Sequence, residues 1–213
     1  MFYSALPAGC LPGARSANCP IMTIDHEKRR ADIATITIDL IACEGLEAAT
    51  FRRIAAEAGF STTAITHYFA DKQELLVWTF QILSQEGVRR FREALIENPS
   101  DTIGALLTMV PWCPANVRRW KAFLALWDQA SRDRDIAQFV SQGVSTGYSS
   151  VHELLCREAS GRRNLETACK QLHAMIQGIS LQMLVDEKNW DESGVRALLE
   201  DAFNVAVLKA RSS

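Results

Sequence analysis

Between Thr50 and Lys72 the chain reads T-F-R-R-I-A-A-E-A-G-F-S-T-T-A-I-T-H-Y-F-A-D-K, and its polar members are the side chains best equipped for chemistry. Thr62, Thr63 and Thr66 carry hydroxyls that can bond a phosphate oxygen or a base edge. Their methyls and that of Ala64 can meet a thymine methyl, His67 and Tyr68 add an imidazole and a phenol, and Lys72 can neutralise a phosphate. This is recognition chemistry rather than turnover. The sequence has no Gly-rich phosphate loop and no H-E-x-x-H, and no known motif sets a histidine beside a nucleophile. No catalytic residue, cofactor or enzymatic activity is therefore expected.

A second group is aromatic: Trp112, Trp120, Phe123, Trp127 and Tyr148. Ring faces attract quaternary ammonium cations through their quadrupole, by about 0.5–2 kcal/mol each, so these five are candidate walls of an effector pocket. Filling core space is the commoner use of a tryptophan. Asp128 or Glu153 would strengthen a cationic cage only if turned inward. A third group is made of His152 with Cys156 and Cys169 with His173, each pair four residues apart. On helices each pair shares a face, and two Cys with two His match a tetrahedral zinc set. Packing within a helical body is the simpler use, and no metal is expected. The six cysteines show no C-x-x-C spacing, so a reduced, cytoplasmic protein is the simplest reading.

These groups need elements to hold them. Thr50 is a good helix N-cap, Ile54, Ala55 and Ala58 come next at helical spacing, and Gly59 suits the left-handed position that ends a helix. Ser61 or Thr62 then caps a second short helix that turns Ile65 and Phe69 inward and Thr63, Thr66, His67 and Tyr68 largely outward. A helix, a Gly turn and a second helix with a polar outer face is the arrangement that lays a recognition helix in the DNA major groove.

Taken as I-A-x-x-A-G-x-S, then x-x-x-I-x-H-Y-F, then x-D-K-x-x-L-L, the stretch resembles the N-terminal DNA-binding domain of the TetR family of bacterial transcription regulators, over roughly residues 25 to 80. The resemblance implies that Thr50, Tyr68 and Lys72 meet phosphates and that Thr62, Thr63, Ala64, Thr66 and His67 reach base edges, with Arg53 and Ser61 in the same contact set. Thr63 departs from the family, which usually has Gly there. S-T-T-A-I-T-H-Y-F and A-M-I-Q-G-I-S-L-Q (Ala174 to Gln182) are most similar to the choline-sensing betaine-pathway repressors of that family. The likeness implies a homodimer joined through its last two helices, a near-palindromic double-stranded operator, and release by a small-molecule effector, a choline-like cation.

The rest of the chain supports an all-α protein of about nine helices. Its 213 residues, 48% of them hydrophobic, suffice for a helix-turn-helix head and a larger helical body. No apolar run is long enough to cross a bilayer. The net charge of −2 gives no global pull towards nucleic acid, so binding would rest on a local patch of Lys28, Arg29, Arg30, Arg52, Arg53 and Lys72. Residues 1–22 read as a flexible extension with Met22 as an alternative start, 23–70 as a three-helix DNA-binding head, and 71–213 as the effector-binding and dimerising body. Expected helices run from about Thr23 to Cys43, from Asp71 to Asn98, Ser100 to Cys113, Ala115 to Ser131, Asp133 to Ala159, Asn164 to Glu187 and Ser193 to Lys209. Ile33, Ile36, Leu40 and Ile41 form the stripe of the first, although I-A-T-I-T-I-D-L-I also alternates like a strand. The competing reading is a small-molecule binding protein or enzyme that keeps the head without binding an operator.

Overall fold

The computed structural model describes residues 20–158 and 164–211. Most of the expected N-terminal extension, and the break expected between the helix ending at Ala159 and the one starting at Asn164, lie outside the described residues. Within them the chain is all-α, with nine α-helices and no strand. In order they are α1 (Pro20–Glu44), α2 (Phe51–Ala58), α3 (Thr62–Tyr68), α4 (Lys72–Glu97), α5 (Thr102–Leu107), α6 (Pro114–Ala130), α7 (Arg134–Glu158), α8 (Leu165–Val185) and α9 (Glu192–Arg211). Short 3-10 turns at Leu46–Ala48 and Glu187–Asn189 precede α2 and α9. Helix α1 starts at Pro20, so the last residues expected in the extension are helical.

The ambiguity of I-A-T-I-T-I-D-L-I is resolved by burial. Ile33, Ala34, Thr37, Ile38, Leu40 and Ile41 are buried, a spacing of three and four that only a helix gives. Ile36, expected on that stripe, sits at its edge and is half-buried, while Thr37 takes the centre. Thr37 is tolerated there because its hydroxyl donates to the Ile33 carbonyl at 2.8 Å, so no polar atom is left unmet.

Helix α5 is shorter than the sequence suggests. It stops at Leu107 because carbonyls beyond that point are taken by α6: Asn116 Nδ2 donates to Thr108 O and Val110 O, both at 3.1 Å, and Trp120 Nε1 donates to Met109 O at 2.8 Å. Pro111, which has no N–H to offer, closes off any continuation. The segment between α5 and α6 is thus pinned onto α6.

Two hydrophobic clusters organise the packing. One gathers Phe91, Leu106, Leu154, Leu172, Ile176 and Leu199 from α4, α5, α7, α8 and α9. The other joins Ile33, Ile54 and Ile65 of the first three helices, and Phe69 just after α3, to Leu75 and Phe80 of α4, Leu126 of α6 and Ile136 and Val140 of α7. Helix α4 contributes its first half to one cluster and Phe91 to the other, so a single rigid element spans both. At Gly143 the backbone of α7 lies so close to α4 that a Cβ would collide with the Phe80 ring, and only hydrogen fits.

Candidate nucleic-acid interface and ligand cavity

The α2–turn–α3 unit is built as its residues dictate. Thr50 has an extended backbone and its hydroxyl accepts from Arg53 N at 3.2 Å. Gly59 is left-handed (φ 68°, ψ 27°), and the Phe60 N–H reaches back to Ala55 O at 2.8 Å, which closes α2. Of the two caps open to α3, Ser61 is the one used; its Oγ accepts from Ala64 N at 3.1 Å. Ile65 and Phe69 are wholly buried. Thr62, Thr63, Thr66 and His67 are exposed along the opposite side, with Ala64 and Tyr68 half-buried at its edges.

The N-terminal part of α1 lies beside this outer face. The His26 ring is 4.8 Å from Tyr68 and 6.1 Å from His67, and Arg29 stands over the Phe60 ring at 5.7 Å. Lys28, Arg29 and Arg52 are exposed.

Other cations of the expected patch are already engaged. Arg53 holds Glu44 at 2.9 Å and Glu57 at 2.8 Å. Lys72 is half-buried, with its ammonium 3.4 Å from the Leu46 carbonyl. Arg30 is a structural clasp: it bonds Glu74 at 2.6 Å and its guanidinium lies 4.7 Å from the Phe69 ring and 4.3 Å from the Trp78 ring. The other Glu74 oxygen accepts from Ala70 N at 2.8 Å, while Asp71 caps α4 through Glu74 N at 2.7 Å.

In the body, a cavity of about 650 Å³, counting the part open to solvent, lies between α4, α6, α7 and α8. Its apolar walls include Phe91, Met109, Trp120, Phe123 and Ile176; Ser84, Ser150, Gln177, His173 and Arg119 supply the polar atoms. Gly87, Gly143 and Gly147 also line it, and a Cβ on Gly147 would stand 3.0 Å from His173 Nε2. Burial lowers the pKa of His173 and so favours its neutral form. Arg119 is only 9% exposed. Its Nη2 donates to Thr108 O at 3.1 Å, and its Nη1 has no partner.

Of the five aromatics singled out from the sequence, Trp120 and Phe123 line this cavity and three do not. Trp112 lies at a separate cleft with Pro114 and Trp190, Trp127 packs on Phe123 at 5.2 Å, and Tyr148 sits against His152 and His173 at 6.2 and 6.4 Å. Asp128 is paired with Arg132 on the surface, and Glu153 with Arg92 at 3.1 Å. An aromatic cage closed by a carboxylate, as a choline-like cation would want, is not what the described residues assemble.

Cys156 Sγ is 3.6 Å from His152 Nδ1, but no group of three or more His, Cys, Asp or Glu gathers as a metal would need among the described residues. Burial pushes the Cys169 thiol up to about 11, so it is not a thiolate. Reading for catalytic motifs passes over G-V-S-T-G at Gly143–Gly147, which has G-x-S-x-G spacing. It lies inside α7 rather than on a strand-to-helix turn, and the Ser145 hydroxyl simply donates to Ser141 O at 2.9 Å. Arg119 is missed as well. The available signal is that Asn116, Arg119, Phe123 and Leu126 fall at helical spacing, a charged residue on an inward stripe.

Comparison with known proteins covers both halves of the chain. Residues 34–77 match the family described as bacterial regulatory proteins, tetR family, and residues 104–205 match the BetI-type transcriptional repressor, C-terminal. The chain is 30% identical over 178 residues to the HTH-type transcriptional regulator BetI 1 of Chromohalobacter salexigens, covering 81% of this chain and 87% of that one. In fold it is similar to the crystal structure of a transcriptional regulator from Rhodococcus sp. Rha1, with a TM-score of 0.74, 21% identity, and coverage of 86% and 98%. A regulator from Saccharomonospora viridis, solved in complex with choline, shares the fold at a TM-score of 0.61 and 20% identity, with coverage of 84% and 96%.

Proposed function

Because this chain belongs to the TetR family of transcriptional regulators, with a BetI-type C-terminal region, we propose that it is a cytoplasmic homodimeric repressor released from its operator by a small molecule. The carrying observation is the outer face of α3: Ile65 and Phe69 are fully buried, and Thr62, Thr63, Thr66 and His67 are left free to enter a groove. Tyr68, Thr50 and Lys72 serve phosphates around that face. Lys72 does so by leaving the Leu46 carbonyl, a long contact that costs little to exchange for a phosphate. In this reading residues 23–70 act as head and 71–213 as the effector-binding and dimerising body.

Two copies join through α8 and α9. Met175 and Leu181 on α8, and Leu198 and Val205 on α9, are 45–61% exposed, an apolar surface on adjacent antiparallel helices that a second copy would cover as a four-helix bundle. The paired heads then address half-sites about 34–36 Å apart. Helix α4 starts at the head with Lys72 and passes the cavity at Ser84, Gly87 and Phe91. A ligand that fits the cavity in only one tilt of α4 shifts the head spacing through its differential affinity for the two states.

The test is a shift assay on DNA flanking the gene, at several salt concentrations with competitor DNA. Specific binding that falls steeply with salt is expected. Tyr68→Ala and Lys72→Ala should weaken binding to all sequences, whereas Thr63→Ala and His67→Ala should change which sequences are preferred. Absence of any specific site, with ligand binding intact, would favour a small-molecule binding protein that retains the head.

A further inference from the structure

Taking the cavity as the effector site of the regulator just proposed, we infer that the effector is an organic carboxylate with an apolar body, and that Arg119 is the residue that holds its charge. A guanidinium drawn out of water is tolerated when an anion and full hydrogen bonding meet it. Arg119, at 9% exposure, has neither. One nitrogen is spent on a neutral carbonyl and Nη1 has no partner. No Asp or Glu lines the cavity among the described residues. Glu86, the carboxylate that bears on Arg119, is bonded to Arg89 at 2.9 Å and to Arg90 at 2.7 Å. Those two arginines hold the Glu86 carboxyl down at about 2, so it is already committed to them. Burial lowers Arg119 only to about 10, leaving it cationic at neutral pH.

The remaining lining says what else the ligand carries. Phe91, Met109, Trp120, Phe123 and Ile176 offer an apolar chamber, the kind of lining that, with a few placed polar groups, holds small ligands. A quaternary ammonium would find the faces of Trp120 and Phe123 but would have to sit beside a like charge. A carboxylate offers two oxygens to the planar fork of a guanidinium. The site also reaches the lever: the Arg119 guanidinium carbon is 3.6 Å from where a Cβ on Gly87 would stand, so an anion on Arg119 bears directly on α4.

The experiment uses the purified full chain and three matched series of probes: straight-chain carboxylates from acetate to decanoate together with phenylacetate, the corresponding primary amides, and the cations choline and phenyltrimethylammonium. Binding is read by thermal shift and tryptophan fluorescence, and operator release is read separately. At least one carboxylate should bind, its amide should bind at least about 30-fold more weakly, and Arg119→Gln should lose a similar factor for the carboxylate only. If Arg119→Gln fails to fold, the carboxylate-against-amide contrast on the wild type decides alone. The inference is overturned if no carboxylate binds, if amides bind as well as acids, or if the cations bind and improve on Arg119→Gln. Cations that release DNA while carboxylates do not would sink the anion and keep the regulator. A carboxylate that binds through Arg119 with no ligand releasing DNA would do the reverse.

Discussion

Arg30 gives the sharpest separation between a residue that binds DNA and one that builds the domain that does. Its position in the first half of α1, next to Lys28 and Arg29, suggests a phosphate contact. Its geometry says otherwise: the guanidinium lies between Phe69 at the end of α3 and Trp78 on α4, and bonds Glu74 at 2.6 Å. Arg30→Ala removes an ion pair with one partner 41% exposed, worth about 0.5–1 kcal/mol, and two ring contacts at roughly 0.5–1 kcal/mol each. The loss should be about 2 kcal/mol, which for a chain of this size lowers the melting temperature by roughly 4–8 °C. Arg30→Lys should recover less than half, since an ammonium cannot lie flat between two rings. The assay pairs thermal unfolding at fixed protein concentration with the salt dependence of operator binding. Each lost phosphate contact would flatten the slope of log K against log salt by about 0.9, or about 1.8 for two heads. The expected result is a lower melting temperature with an unchanged slope. A melting temperature within about 1 °C of wild type, with the slope reduced by that amount, would refute the clasp.

Particular contacts elsewhere carry three further expectations. Gly143→Ala should destabilise by about 1–3 kcal/mol because the new methyl meets the Phe80 ring and the Ser84 hydroxyl on α4; combining it with Phe80→Leu and Ser84→Ala in denaturant titrations should restore part of the loss, and no recovery would argue against those contacts. His173 is held below the ordinary histidine value of 6.5 by burial, so the folded chain binds fewer protons than the unfolded one there. Stability is then full above about 6.5 and falls as pH drops through that value towards the lowered one. His173→Gln should flatten the melting temperature between roughly pH 5 and 7, and an unchanged slope would exclude His173 as its source. Val205→Asp, on the exposed apolar side of α9, should convert a dimer to monomer in light scattering, while a dimer that persists at micromolar concentration would move the interface elsewhere.

The head was legible in the sequence because its signals are local. A Thr cap, a left-handed Gly and a Ser cap each act within four residues, and the spacing of Ile65 and Phe69 alone fixes which side of α3 is buried. Where the elements depart from their sequence pattern, distant groups intervene. Helix α5 ends early because α6 takes the carbonyls that follow it, and Thr37 can enter the core because a backbone oxygen one turn away meets its hydroxyl.

The cavity is a different kind of problem. The sequence determined that the body is helical and rich in aromatics, and it placed Trp120 and Phe123 on a face able to line a pocket. It did not determine the sign of the charge inside. Trp112, Trp127 and Tyr148 turn elsewhere, and Arg119 turns in. That outcome depends on where α4, α6, α7 and α8 cross, set by Gly143 against Phe80 and by the capture of the α5–α6 segment. Caps and stripes are written along one stretch of chain. The electrostatics of a cavity come from side chains of four helices, and only their packing decides which of those charges water can no longer reach.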